Sequence, residues 1–182
     1  MEIIDAYIKG LKVVTGDCFH DKRGHFVETF NLKKLGDNDI DLSIYQENQA
    51  FSFKGAIRGL HYQIHPFAQA KLVRAIFGEI IDVAVDIRKN SPTFGKYFKI
   101  LLTGDNNKQL WIPEGFAHCA LTKSEFSIMA YYTNNRYSEE HSRIINYNDP
   151  DINIDWGVDE FIVSEKDSSA PLLKELDLED LL

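Results

Sequence analysis

Apolar and polar residues alternate over several short runs of this chain, which is the pattern of half-buried β-strands. The segment 42–53, LSIYQENQAFSF, alternates and is rich in aromatic residues. The segment 71–88, KLVRAIFGEIIDVAVDIR, holds two β-branched runs separated by Gly78. Further runs of the same kind lie at 96–104, 108–113, 117–123 and 127–133. Many short strands separated by turn sequences such as TGDNN predict an all-β sandwich or barrel.

Helical patterns are few and short. The segment FNLKKLGD at 30–37 predicts about two helical turns, and PLLKELDLEDLL at 171–182 has apolar residues near helical spacing. The second segment is expected to form a helix that caps one end of the fold. No repeat, low-complexity tract or linker-like stretch divides the chain, so residues 1–182 are expected to form one domain.

Composition and charge narrow the classes of partner. The chain has 182 residues, 44% of them hydrophobic, and a net charge of −8. An acidic protein is poorly suited to nucleic acid or an anionic membrane as its main partner. We see no signal-peptide pattern at the N-terminus and no apolar run near the ~20 residues of a membrane span. Two cysteines, Cys18 and Cys119, fit no metal-binding spacing, so we expect a cytoplasmic protein with reduced thiols.

Two motifs in the middle of the chain indicate a site. The first is RGLHYQ at 58–63, which is followed by Lys71, and the second is the Pro-x-Gly-x-x-His sequence that ends at His118. This combination is similar to β-barrels of the cupin type, in which such histidines point into the barrel and usually hold a metal. Here Gln63 stands where a second histidine ligand is usual, and Lys71 is cationic where an acidic ligand is usual. Two remaining imidazoles are too few for a typical metal site, so no metal is expected.

Without a metal, the same residues are suited to acid–base chemistry. His61 is a candidate base because imidazole titrates near neutral pH, and Lys71 can stabilise a developing negative charge. His61 and Gln63 share one face of their strand by alternation. A buried histidine within the core is the structural alternative. A barrel interior lined by several polar residues requires a ligand or water to satisfy them, which favours a functional pocket.

With these motifs in place, the chain resembles the dTDP-4-dehydrorhamnose 3,5-epimerases and their relatives that act on other nucleotide-linked 4-keto sugars. The matching segments occur in the same order along nearly the whole chain: DKRGHFVETF (21–30), QEN (46–48), GAIRGLHYQ (55–63), the long segment 70–96, QLWIPEGFAHCAL (109–121), DPDINIDW (149–156) and SEKDSSAPLL (164–173). The resemblance implies a cupin-type jelly-roll barrel, catalysis without a cofactor, and a homodimer with exchanged N-terminal strands. It also implies a nucleotide-diphosphate sugar as substrate, in the synthesis of cell-surface polysaccharide precursors.

The resemblance also implies the roles of four catalytic residues. His61 matches the base that removes a proton next to the C4 ketone, and Asp167 matches the acid that orients this histidine. Lys71 matches the group that stabilises the enolate oxygen. Tyr131 matches the acid that returns a proton from the opposite face, although a slip of one residue on the strand would put Tyr132 there instead.

A second group of residues matches positions that bind the nucleotide or the sugar in the family. Arginine and lysine suit the diphosphate, a phenylalanine can stack on the base, and amide or carboxylate groups can hydrogen-bond to sugar or base. The expected substrate-binding residues are Arg23, Phe26, Glu28, Gln46, Asn48, Arg58, Gln63, His118 and Lys166. For Arg23, a surface charge in the turn DKRG is an equally good interpretation.

The chain departs from the family pattern after Tyr137, where Ser142 lies near the position of an expected glutamate. Either Glu139 or Glu140 takes the place of that glutamate, or its contact is absent. Cys119 also stands where glycine is common. These departures leave three questions open: whether the nucleobase is thymidine or guanosine, whether the sugar is a hexose or a heptose, and whether one or both carbons are inverted. A 3,4-ketoisomerase of the same fold, a metal-dependent cupin enzyme and a non-enzymatic sugar-binding barrel are the alternative functions.

Overall fold

Two antiparallel β-sheets pack face to face in the computed structural model, which describes residues 1–41, 43–177, 179 and 181–182. With strands numbered in chain order, the six-stranded sheet has the spatial order β1 (Glu2–Asp5), β2 (Lys12–Thr15), β10 (Lys108–Ile112), β7 (Lys71–Phe77), β12 (Phe126–Thr133), β5 (Gln46–Phe53). The five-stranded sheet has the order β13 (Ser142–Ile144), β6 (Ile57–Gln63), β11 (Phe116–Thr122), β8 (Glu79–Asp86), β9 (Tyr97–Thr103). The prediction of an all-β barrel is confirmed.

A hairpin and two short α-helices lie outside the two sheets. Strands β3 (Asp17–Asp21) and β4 (Gly24–Glu28) form a separate hairpin, named here the N-terminal hairpin. Helix α1 (Leu32–Gly36) begins after the cap Asn31, whose side chain accepts a hydrogen bond from the backbone of Lys34. Helix α2 (Glu165–Ser168) is a single turn. The few short helices therefore agree with the prediction.

The chain ends differ from the sequence prediction in detail. The strand expected over 42–53 begins at Gln46, and Leu42 lies outside the described residues. The helix expected over 171–182 is wrong over its described part, because Leu173–Glu175 forms a 3₁₀ turn that ends at Leu176; Leu178 and Asp180 lie outside that part. Contacts with the barrel explain the difference, since the Leu173 amide donates to the carboxylate of Asp149 at 2.7 Å.

The apolar residues form three layers, one between the sheets and one on the outer face of each. The interior layer is built from both sheets and includes Val73, Ile80, Leu110, Phe116 and Met129. The outer face of the five-stranded sheet, with Val83, Val85, Cys119 and Leu121, is covered by Trp156, Leu173 and Leu181. On the six-stranded sheet, Leu72 and Trp111 lie under Leu35 and Ile40. Both faces of β8 and β11 are buried in consequence, so their sequences are nearly continuous apolar runs.

A buried carboxylate organises the turn after β8. Asp86 accepts hydrogen bonds from the Arg88 guanidinium at 2.7 and 2.8 Å, from Ser91 at 2.5 Å and from Thr93 at 2.6 Å. Burial raises the pKa of Asp86, but these donors outweigh burial and bring the pKa down to about 2. The ionised form is therefore bound more tightly in the folded protein than in the unfolded chain.

We expect Asp86→Asn to lower the free energy of unfolding at pH 7 by about 2 kcal/mol, since the folded pKa lies nearly two units below its ordinary value. A depressed carboxyl pKa stabilises the fold above about pH 4, and this contribution is lost as the pH falls toward 2. The difference between wild type and variant should therefore shrink to about half at pH 3. Urea unfolding at pH 7, 5 and 3 measures it, and a difference independent of pH would contradict the assignment.

Candidate active site

A histidine and an aspartate from distant parts of the chain meet inside the barrel. His61 lies on β6, and its Nε2 is 2.7 Å from Oδ1 of Asp167 in helix α2. The Ser164 hydroxyl caps this helix by accepting from the backbone N–H of Asp167 at 3.1 Å. The backbone N–H of Gly59 donates to the second carboxylate oxygen at 3.5 Å. Asp167 is therefore held rigidly beside the imidazole.

Charge and burial act on Asp167 in opposite directions. Burial raises its pKa. The hydrogen bond and charge of His61, together with the donors at Gly59 and Ser164, lower the pKa by more than burial raises it, so the net shift is downward. An ionised Asp167 accepts a hydrogen bond from the Nε2–H group of His61. The other ring nitrogen, Nδ1, then carries the lone pair and is available as a base.

Lys71 lies close to both His61 and a tyrosine. Its ammonium donates to the backbone carbonyl of His61 at 3.4 Å and lies 5.9 Å from the ring centre of Tyr131. The pKa of Lys71 falls to about 8 because burial disfavours the charged form, although Asp82 acts in the opposite direction. At pH 7 about nine tenths of this side chain still carries its positive charge.

Tyr131 lies on the opposite sheet from His61 and lines the same cavity. Its neighbour Tyr132 points to the other face of β12 and packs against Phe30, with ring centres 5.4 Å apart. Burial raises the pKa of Tyr131, so its hydroxyl keeps its proton at neutral pH. Of the two candidate tyrosines, Tyr131 is therefore the one placed to donate a proton into the cavity.

A second histidine–aspartate pair lies beside the first. His118 on β11 is directly opposite His61 in the strand register, and its Nε2 lies 2.7 Å from Oδ1 of Asp82. His118 also packs edge-on against Tyr131, with ring centres 6.5 Å apart. Burial is the main cause of a lowered pKa at His118, and the nearby positive Lys71 adds to the effect. The imidazole of His118 is therefore neutral at neutral pH.

These residues line one cavity of about 580 Å³, a volume within the usual range for ligand sites. Arg58 and Lys166 stand at its exposed mouth. Arg58 donates to the Ser52 hydroxyl at 2.9 Å and to a backbone carbonyl, and within the described residues neither cation has a carboxylate partner. The mouth thus presents two positive charges that are not neutralised by the protein.

Three predicted binding residues on β5 and β6 make hydrogen bonds with protein groups. The amide nitrogen of Gln63 donates to the backbone carbonyls of Phe67 and Arg136 at 2.5 and 3.0 Å, and its oxygen accepts from the Ser138 amide at 2.7 Å. Gln63 lines the cavity, and it also anchors the loop that contains Tyr137. Gln46 donates to Asn48 at 2.7 Å on the inward face of β5, outside the lining of the cavity. Contact of these residues with substrate stays a prediction.

The N-terminal hairpin does not reach the cavity of its own chain. Arg23 pairs with Asp21, and Phe26 is 69% exposed. Glu28 pairs with Lys34 at 2.7 Å. The structure of one chain therefore brings together His61, Lys71, Asp167, Tyr131, His118, Arg58, Gln63 and Lys166, and it leaves Arg23, Phe26 and Glu28 apart from them.

Some lining residues were not predicted as site residues. Tyr137 and Ser142 line the cavity, whereas Glu139 and Glu140 are exposed and lie outside its lining. Asp82 was missed as well, although an acidic residue within the apolar run IIDVAV is a recognisable signal. In the described part of the chain, no group of three or more His, Cys, Asp or Glu side chains is arranged to hold a metal ion. No helix there is long and apolar enough to cross a membrane.

The two-sheet barrel, with acid–base groups inside it, is that of a cupin-type isomerase. The family model described as dTDP-4-dehydrorhamnose 3,5-epimerase matches residues 5–175, and the chain belongs to this family. The dTDP-4-dehydrorhamnose 3,5-epimerase of Shigella flexneri is 45% identical over 92% of this chain and 93% of the relative. That of Sinorhizobium fredii is 43% identical over 96% and 93%. The crystal structure of a Legionella pneumophila epimerase, RmlC, in complex with dTDP-4-keto-L-rhamnose has a TM-score of 0.95 and 41% identity, over 99% of this chain and 96% of that chain.

Gly59 is expected to be essential for bringing the two histidines together. Its φ is +129°, and a Cβ there would lie 2.4 Å from the His118 carbonyl oxygen. We expect Gly59→Ala to lower the free energy of unfolding by about 3 kcal/mol or more, since backbone cannot yield as a flexible side chain does.

Gly24 provides the matched control, because its φ is +128° and nothing lies within 4 Å of a Cβ built there. Gly24→Ala should therefore show only the conformational cost of about 1 kcal/mol. Urea unfolding of both variants measures the difference. Equal losses would mean that the contact with β11 does not require glycine.

Proposed function

We propose that this protein inverts C3 and C5 of a dTDP-linked 4-keto-6-deoxyhexose, with His61 as base and Tyr131 as acid. The observation that carries the proposal is the placement of these two side chains on opposite sheets of one cavity, which Lys71 also lines. The Lys71 ammonium donates to the backbone carbonyl of His61 at 3.4 Å and lies 5.9 Å from the ring centre of Tyr131. The names of the relatives support the substrate class. We treat residues 1–182 as a single catalytic domain.

The chemistry follows from the ketone at C4. The ketone acidifies the C3 and C5 hydrogens, because each carbanion is delocalised onto O4 as an enolate. His61 takes the proton from one face, the electron pair of the C–H bond moves to O4, and the ammonium of Lys71 stabilises the resulting charge. The enolate then returns to the ketone as the carbon takes the Tyr131 proton from the other face. Afterwards the tyrosinate takes a proton from water and His61 releases its proton to water. No electron is gained or lost over the cycle, so the reaction needs no redox cofactor.

The remaining residues of the cavity have roles in binding. Arg58 and Lys166 are suited to the diphosphate, since their charges at the mouth are not neutralised by the protein. Gln63 holds the loop of Tyr137 in place as well as facing the cavity. The cytoplasmic location and the absence of nucleic-acid and membrane partners stay predictions from the sequence.

The test is incubation with dTDP-4-keto-6-deoxyglucose in heavy water, with EDTA present. Wild type should incorporate deuterium at C3 and C5 and invert both centres. His61→Ala should lower the exchange by about a thousandfold or more, because its base is lost. Tyr131→Phe should keep exchange of the substrate proton and lose inversion. NMR and mass spectrometry of the product measure each step.

Tyr132→Phe is the matched control. It removes a hydroxyl from the neighbouring tyrosine, whose side chain points away from the cavity, so the variant should invert both carbons at the wild-type rate. Full-rate inversion by Tyr131→Phe would contradict the assignment of the acid. A product with its ketone at C3 would identify a 3,4-ketoisomerase. Binding of the sugar without exchange would identify a sugar-binding barrel, and loss of activity with EDTA would identify a metal-dependent enzyme.

We further propose a homodimer in which the N-terminal hairpin of one chain completes the cavity of its partner. The hairpin leaves Arg23 and Phe26 exposed and away from the cavity of their own chain. Exposed aromatic side chains also form a patch at the β5 edge, and they are Phe51, Phe53, Phe77 and Phe126. Apolar patches of this kind mark association surfaces.

Complementation between two inactive variants tests this arrangement. His61→Ala lacks the base and Arg23→Ala lacks the hairpin cation, so each alone should have little activity. Co-expression at equal levels should restore about a quarter of wild-type activity, because half of the dimers are mixed and each has one intact cavity. Light scattering should show a dimer throughout. Failure to recover activity would mean that Arg23 does not serve the partner's cavity.

A further inference from the structure

Asp82 is a fully buried carboxylate beside the cavity that the proposed reaction does not use. It lies on β8, and its Oδ1 is bound to His118 at 2.7 Å. Its other oxygen, Oδ2, has no hydrogen-bond partner within the described residues. An unpartnered carboxylate oxygen inside a protein is costly, so its presence requires a compensating charge or a function.

The negative charge of Asp82 is not cancelled by the histidine that it binds. Burial lowers the pKa of His118, while the charge and hydrogen bond of Asp82 raise it. The positive charge of Lys71 adds to the effect of burial, and the net shift is downward, so the imidazole stays neutral. A neutral His118 that meets a carboxylate through Nε2 carries its proton on that nitrogen and donates it. When Asp82 is ionised, it accepts this hydrogen bond and the pair of Asp82 and His118 carries one negative charge.

Lys71 is the buried cation that needs such a charge. No carboxylate lies within ion-pair distance of its ammonium among the described residues, and its one hydrogen bond is the 3.4 Å contact with the His61 carbonyl. A buried ammonium without a nearby negative charge tends to lose its proton.

Apart from Asp82, the titratable groups around Lys71 are poorly suited to supply that negative charge. Asp167 is engaged with His61, Arg58 is itself positive, and burial raises the pKa values of Tyr131 and Cys119 so that both stay protonated. The charge of Asp82 acts on Lys71 in the direction that favours the ammonium form.

We propose that Asp82 is a positioning residue for catalysis, whose buried charge keeps Lys71 in its ammonium form inside the cavity. Before the reaction, the positive charge of Lys71 and the negative charge of Asp82 cancel. When the enolate forms, its oxygen O4 meets the positive charge of Lys71. Without the charge of Asp82, Lys71 loses its proton at a lower pH and the enolate loses its cation. The part of this inference that concerns the enolate rests on the proposed function; the charge relation between Asp82 and Lys71 does not.

The first test measures the charge of Lys71 in the full-length protein without substrate. NMR of protein labelled with ¹³C at the lysine ε carbons follows each ammonium through its titration, and the signal missing in Lys71→Met assigns Lys71. The wild-type midpoint should lie near pH 8. In Asp82→Asn the midpoint should move down by about one unit or more, and Asp82→Glu, which keeps the charge, should restore most of the shift.

The second test is the pH dependence of epimerisation. The basic limb of kcat should move to lower pH in Asp82→Asn. At pH 8 the charged fraction of Lys71 would fall from about one half to about one tenth, so kcat should drop about fivefold, with a smaller effect on KM.

Asp86→Asn is the matched control, since it makes the same substitution at another fully buried position of β8 whose partners are Arg88, Ser91 and Thr93. It should lower stability and leave both the Lys71 titration and the pH profile unchanged.

An identical Lys71 midpoint in wild type and Asp82→Asn would overturn the inference, whatever the activity. A lowered midpoint in Asp86→Asn as well would also overturn it, since the shift would then follow from loss of stability. A lowered midpoint confined to Asp82→Asn supports the inference even if no epimerase activity is found, an outcome that would instead remove the proposed function.

Discussion

The placement of an ammonium group inside a β-barrel is the constraint on which the site depends. Lys71 is buried, and burial lowers its pKa to about 8, so a nearby negative charge favours its ammonium form. The surrounding groups suit this requirement: His118 is neutral, Tyr131 keeps its proton, and Asp82 is the carboxylate that we propose to supply the opposing charge. The same arrangement leaves Lys71 charged at pH 7 and close enough to its titration point to be sensitive to its surroundings.

The barrel provides this environment because its inward-facing strand positions are of two kinds: some form the apolar interior layer and others line the cavity. Inward-facing positions of β7, β8, β11 and β12 are apolar in the interior layer, with Val73, Ile80 and Met129 among them. Elsewhere on the same faces the inward positions are polar and line the cavity. The outer faces are covered separately by the C-terminal segment and by the region around α1. The rigid apolar layer thus fixes the strands on which the reactive side chains stand.

The sequence alone supports about half of this description. Alternation and the turn sequences predict the barrel, and the shared strand face predicts that His61 and Gln63 point inward together. No local signal connects His61 with Asp167, which is 106 positions away and lies on a single helical turn. Only the family resemblance pointed to Asp167, since an isolated aspartate in SEKDSS is as well explained as a helix cap. The C-terminal helix was mispredicted because apolar spacing cannot show that Leu173 and Leu181 pack against a sheet.

In the proposed reaction, the ammonium group of Lys71 stabilises an anion, a task that a metal ion can also perform. A metal ion and an ammonium group can both stabilise an anion that forms on a substrate oxygen, but they require opposite surroundings. A metal needs several lone-pair donors, and here the donors that remain are engaged elsewhere: Gln63 binds backbone groups of two loops, and His118 donates to Asp82. An ammonium instead needs one negative charge nearby and neutral neighbours.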